Sequence, residues 1–150
     1  ALAEMYGPVS ATSEPCCVYT DGSCLRPNTP EAQAGCGVYW GPGNSKNLAL
    51  RLPGLPTNNR AELYAILLVL TAASKTVTIY IFTDSTYAIR SICHWAPRRA
   101  ARGWVCLNAD ILKDIVAAIK ARRAATHFFW VEGHSGNAHN DAADALAKQG

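Results

Sequence analysis

Apolar and polar positions along the chain divide it into short strands and amphipathic helices. Cys16–Cys24, Ala34–Gly41 and Asn47–Leu52 are strand-like runs, separated by Pro-, Gly- and Asn-rich turns at Arg26–Pro30 and Gly41–Asn44. That spacing predicts an antiparallel meander. Asn58–Ser74 then carries Leu63, Ile66, Leu67 and Leu70 at helical spacing, with Thr57 or Asn58 available as a cap. Val77–Phe82 is a short β-branched run, the pattern of a buried strand. A second helix is predicted over Ser85–Trp95, stopped near Pro97. A basic connector follows, then a helix from about Asn108 to Arg122, a last strand at His127–Val131 and a closing helix at Asn140–Lys148. Strands first and then helix alternating with strand predict an α/β chain, a five-stranded mixed sheet flanked by helices. Residues 1–14, with Gly7, Pro8, Ser10, Thr12 and Ser13, are expected to form a flexible lead-in to one domain over 15–150.

Composition changes this picture little. Apolar residues make up 49% of the chain and charged residues 17%, an ordinary globular balance. No apolar run approaches the roughly 18–20 residues of a membrane helix, so no membrane role is expected. The six cysteines show no CxxC pair and no histidine at zinc-finger spacing, and Cys16 and Cys17 are adjacent. Reduced thiols of an intracellular protein are expected, with a Cys24–Cys36 bridge left open. Charge adds more. Eight of the fourteen basic residues lie between Arg90 and Arg123, opposed only by Asp110 and Asp114. Such a stripe suits a polyanion or a solvated helix face, and the neighbouring aromatics Tyr87, Trp95 and Trp104 favour nucleic acid, because bases and sugars pack on them.

Among only eleven acidic residues, four stand out by position. Asp21 lies within or at the end of the first strand, Glu62 in the first turn of the long helix, Asp84 between a buried strand and a helix, and Asp144 in the last helix. Each has a purely structural explanation: a cap, a helix-dipole partner or a turn residue. Together they differ. Asp21 and Asp84 both terminate strands expected to be central, where a lone carboxylate is costly to desolvate unless it binds a cation. Carboxylate oxygens suit Mg²⁺ or Mn²⁺. His134, between glycines in Glu132-Gly-His134-Ser-Gly, is either a surface histidine or a mobile proton carrier.

Four segments in order, Tyr-Thr-Asp21-Gly-Ser-Cys, Thr-Asn-Asn-Arg-Ala-Glu62-Leu, Phe-Thr-Asp84-Ser and Gly-His134-Ser-Gly…Asn140-Asp-Ala-Ala-Asp144-Ala-Leu-Ala, resemble the type 1 ribonuclease H family. Residues 37–43 and 51–54 resemble its eukaryotic branch. The resemblance spans about residues 16–149. It implies an RNase H-like fold, with three antiparallel strands followed by parallel ones, and an endonuclease that cuts the RNA strand of RNA–DNA hybrids; a monomer is expected separately, because no patterned exposed apolar stripe stands out in the sequence. It further implies Asp21, Glu62, Asp84 and Asp144 as ligands of two Mg²⁺ ions, with Mn²⁺ as a substitute, and products ending in 5′-phosphate and 3′-hydroxyl. Asp141 competes for the last ligand position, and the family's pattern selects Asp144. His134 would assist proton movement or product release.

By the same resemblance Ser23, Cys24, Asn58, Asn59 and Glu62 would read the RNA 2′-hydroxyls. The DNA strand would run across Tyr87, Trp95, Arg98, Arg99, Arg102 and Trp104, with a phosphate at Thr57 and Asn108. Three departures bear on this. Leu55 stands where the eukaryotic phosphate pocket has an arginine, Arg99 replaces a channel aromatic, and the connector from Trp104 to Asn108 is short. That connector, and the lack of an N-terminal hybrid-binding domain, leave open an RNase H domain of a reverse transcriptase or retroelement polyprotein. Two rival functions share this fold: a catalytically silent hybrid-binding module and a DNA-junction nuclease. All four carboxylates and His134 speak against the module, and the Asn-Asn-Arg-Ala-Glu segment against the junction nuclease.

Overall fold

The computed structural model describes residues 15–95, 108–132 and 138–149. Five strands form one sheet: β1 (Cys16–Leu25), β2 (Gln33–Tyr39), β3 (Leu48–Arg51), β4 (Ile79–Thr83) and β5 (Thr126–Trp130), in the order β3-β2-β1-β4-β5. β1 pairs antiparallel with β2, and β2 with β3, as the meander predicted. β1–β4 and β4–β5 are parallel. The mixed sheet expected from the order of strands and helices is therefore present.

One face is covered by α1 (Asn58–Ala72), on which α3 (Ala109–Lys120) packs, and the other by α4 (Ala138–Gln149). In α1 the residues Ala61, Glu62, Leu63, Ala65, Ile66, Val69 and Leu70 are buried, because the helix lies between the sheet and α3. Val18, Val38, Ile79 and Ile81 meet it from the strands, and Leu112 and Ile115 from α3. Gly37 of β2 lets α4 approach: a Cβ there would lie 2.1 Å from the Ala143 carbonyl oxygen.

The structure corrects several boundaries. The second helix is α2 (Thr86–Arg90), capped by the Ser85 hydroxyl, which accepts from the Ala88 N–H. Ser91–Trp95 continues it as a π turn, in which Ser91 and Ile92 are both buried. Thr57, not Asn58, caps α1, its Oγ1 accepting from the Arg60 N–H. Glu62 is consequently the fifth residue of α1, just past the first turn. Asp21 does not end β1. Pairing with β2 continues to Leu25↔Gln33, so Asp21 lies mid-strand. Cys24 and Cys36 are free thiols, and burial pushes the Cys36 thiol up to about 12. The expected lead-in over residues 1–14 lies outside the described residues.

Candidate metal centre and nucleic-acid interface

Parallel pairing of β1 with β4 runs from Cys16↔Ile79 to Tyr19↔Phe82, and the same register carried two residues further sets Asp21 beside Asp84. β4 ends at Thr83 while β1 continues, so the two carboxylates meet at a notch where the central strand loses a neighbour. Strand ends of this kind are where sites assemble in α/β sheets. Thr83 and β5 hold the notch in shape. The Ser85 N–H donates to Thr83 Oγ1 at 3.0 Å, the Val131 N–H to the Thr83 carbonyl at 2.9 Å, and the Trp130 indole N–H to the Asp84 carbonyl at 3.2 Å.

Glu62 enters from α1. Gly22 allows this, since a Cβ there would sit 2.5 Å from the Glu62 nitrogen. Asp21, Glu62 and Asp84 each offer an oxygen within 4.8 Å of the others. Asp144 comes from α4 to the same cleft as Asp21, and Lys148 one turn on holds it at 3.0 Å. All four carboxylates line one cleft of about 380 Å³, with Gly22, Asn58, Asn59, Ser85, Thr86 and Tyr87. Asp141 is exposed in the first turn of α4 and does not line it.

The electrostatics are those of crowded, buried anions. Burial, then the hydrogen bond with Asp144 and the charge of Asp84, pushes Asp21 up to about 8. Burial and the charges of Asp21 and Asp84 hold Glu62 well above the usual carboxylate range. Burial and mutual repulsion thus favour the protonated forms of Asp21 and Glu62 until a cation compensates the charge. One oxygen of Glu62 is buried with no hydrogen-bond partner among the described residues. An oxygen-only donor set with an unsatisfied buried oxygen fits a hard divalent cation.

A second cleft of about 320 Å³ adjoins the first and shares Asn58 and Asn59 with it. Its other lining residues are Pro27, Asn28, Leu55, Pro56, Thr57 and Asn108. Leu55 is 62% exposed at its rim. Of the other expected contacts, Cys24 points its thiol at the Pro56 carbonyl, while Ser23 lines a separate small crevice beside Lys148. Arg98, Arg99, Arg102, Trp104, His134 and the side chain of Trp95 lie outside the described residues. Sequence reasoning passed over Ser85 and Thr86 in the cleft, the Trp130 tie to Asp84, and an Arg60–Asp110 ion pair at 2.9 Å. The Arg60 side of that pair had a signal, since it stands two residues before Glu62 in an Asn-Asn-Arg run. Trp130 had none.

A model of the RNase H family matches residues 13–150. Ribonuclease H1 of Homo sapiens is 37% identical over 140 residues, covering 89% of this chain and 49% of the human protein. Rattus norvegicus ribonuclease H1 is 36% identical, with the same coverage. Ribonuclease H of Cupriavidus pinatubonensis is 32% identical, over 89% of this chain and 92% of its own. The chain thus spans about half the length of the mammalian relatives and most of the bacterial one. Among solved structures, LC9-RNase H1, described as a type 1 RNase H with the type 2 active-site motif, superposes with a TM-score of 0.74. It is 26% identical and covers 95% of this chain and 72% of its own.

Proposed function

The chain belongs to the RNase H family, and on that premise we propose that it is an endonuclease hydrolysing the RNA strand of RNA–DNA hybrids. The observation that carries the reading is the convergence of Asp21, Glu62 and Asp84 from three elements to within 4.8 Å, with Asp144 lining the same cleft.

In this reading the four carboxylates hold two Mg²⁺ ions, with Mn²⁺ as a substitute. Bound there, the ions would supply the positive charge that phosphodiester hydrolysis needs, with 5′-phosphate and 3′-hydroxyl ends as products. Ionised Asp21 and Glu62 face that charge from a buried position, where a carboxylate interacts with a cation far more strongly than in water. Asn58 and Asn59, exposed at the start of α1 between the two clefts, offer amide groups to the sugar edge of the RNA strand, and Glu62 accepts from a 2′-hydroxyl. Only that hydroxyl distinguishes RNA from DNA at equal phosphate charge. The second cleft, with Thr57 and Asn108, takes a phosphate of the DNA strand, and Tyr87 packs against that strand. Trp95, Arg98, Arg99, Arg102 and Trp104 extend the DNA path. His134 carries protons or eases product release, supported by the Gly-His-Ser-Gly motif alone.

A labelled RNA–DNA hybrid incubated with the protein and Mg²⁺, beside duplex DNA and duplex RNA, tests the reading. Internal cuts confined to the RNA of the hybrid are expected. Asp84→Asn should lower the rate by more than about 100-fold, the upper range for groups that merely support a metal ligand. A hybrid bound but intact in both Mg²⁺ and Mn²⁺ would leave a binding module and overturn the proposal.

A further inference from the structure

Asn108 stands immediately before α3 with φ 62°, a left-handed backbone that asparagine tolerates better than most residues. In that position its side chain ordinarily accepts from an N–H of the first helical turn. It does not do so here. The amide is only 7% exposed, and both of its ends are committed elsewhere. Its Oδ1 accepts from Arg60 Nη1 at 3.3 Å, and its Nδ2 donates to the Tyr87 hydroxyl oxygen at 2.9 Å.

Arg60 is itself fixed. Its two terminal nitrogens donate to the two oxygens of Asp110 at 3.0 and 2.9 Å, a fork-to-fork pair joining α1 to the first turn of α3. A guanidinium can only donate, so the Asn108 end facing Arg60 must be its oxygen. That leaves the NH₂ for Tyr87, and the Tyr87 hydroxyl becomes an acceptor whose proton points away from Asn108. The polarity of the whole chain, Asp110 to Arg60 to Asn108 to Tyr87, is therefore set by one charge. Its far members line the two clefts: Asn108 the second, Tyr87 the carboxylate cleft.

We propose that Arg60 is a positioning residue for substrate register, locking the Asn108 amide and the Tyr87 ring into one unit that spans the two clefts. Its two terminal nitrogens are held by Asp110 and Asn108, and it lines neither cleft. Without Arg60 the amide is free to turn over and present its oxygen to an anionic backbone. The inference rests on the nuclease reading above, because register has meaning only for a bound hybrid.

The test is steady-state hydrolysis of the hybrid by the whole chain and by Arg60→Met, Tyr87→Phe, the double variant and Asp110→Asn, with Tm recorded for each. Arg60→Met should raise KM about tenfold with kcat within about twofold, the split expected when binding rather than chemistry is lost. The double variant should be no more than about twofold worse than Arg60→Met, since coupled residues do not add. Asp110 is an exposed partner, so Asp110→Asn should fold normally and raise KM about threefold. That variant decides the matter if Arg60→Met is unfolded. Unchanged KM in Asp110→Asn, a loss confined to kcat, or fully multiplicative effects of Arg60→Met and Tyr87→Phe would overturn the inference alone. A wild-type chain that leaves the hybrid intact would overturn the nuclease reading and this inference with it.

Discussion

At Asp21 the conflict between stability and function is most direct. The carboxylate is 4% exposed and faces Glu62, Asp84 and Asp144, and its pKa stands at about 8 against an ordinary 3.8. The folded state therefore holds a proton that the unfolded chain has already released. For this group, metal-free stability is greatest below the ordinary value and falls as pH rises towards about 8. Asp21→Asn removes the buried charge but keeps the shape. In chelator at about pH 8 it should unfold later than wild type, by on the order of 1 kcal/mol, with the difference vanishing near pH 4. Thermal melts at the two pH values check this, and the same variant should be inactive on the hybrid. The acidic positions themselves were legible from sequence, since eleven acidic residues can be weighed one by one. Their protonation was not, because it depends on burial and on neighbours up to 123 residues away, from Asp21 to Asp144.

Among the elements, α4 depends on Gly37. The helix lies so close to β2 that a Cβ at residue 37 would fall 2.1 Å from the Ala143 carbonyl and 2.5 Å from the Ala147 nitrogen, both backbone atoms. Gly37→Ala must push α4 outward and carry Asp144 with it. We expect a loss of about 1–3 kcal/mol in denaturant melts, the usual cost of overpacking, together with a fall in activity larger than the stability loss explains. Most elements were visible beforehand because periodicity is a local property. The helix over Ser85–Trp95 was legible too, as α2 and the π turn that continues it; the change of helix type at Ser91–Trp95 was not, because five residues carry no periodic signal that separates the two. The strand Cys16–Cys24 was legible to within one residue of β1, and pairing with β2 through Leu25↔Gln33 decided between the two places open to Asp21, within the strand rather than at its end.

Over the whole molecule, the sheet and three helices bring carboxylates from β1, α1, the β4–α2 junction and α4 into one cleft. A cation there replaces the protons that the cluster otherwise holds, so Mg²⁺ should raise Tm, and more at about pH 8 than at about pH 5, where protons already compensate the charge. Calorimetric scans with and without Mg²⁺ check this, and chelation should abolish hybrid cleavage reversibly. Among the described residues no helix is long and apolar enough to cross a membrane.

The sequence by itself determined the alternation of strand and helix, the positions of the acidic residues and the four motifs shared with the family. All of these are carried by residues near one another along the chain. Tertiary structure alone decided which groups touch. The Arg60–Asp110 clamp joins residues fifty apart, the Trp130 tie reaches Asp84 across forty-six, and the Asn108 amide turns away from its own helix towards Tyr87. Such contacts depend on strand register and helix packing, which fix distances between remote segments only once the core has closed.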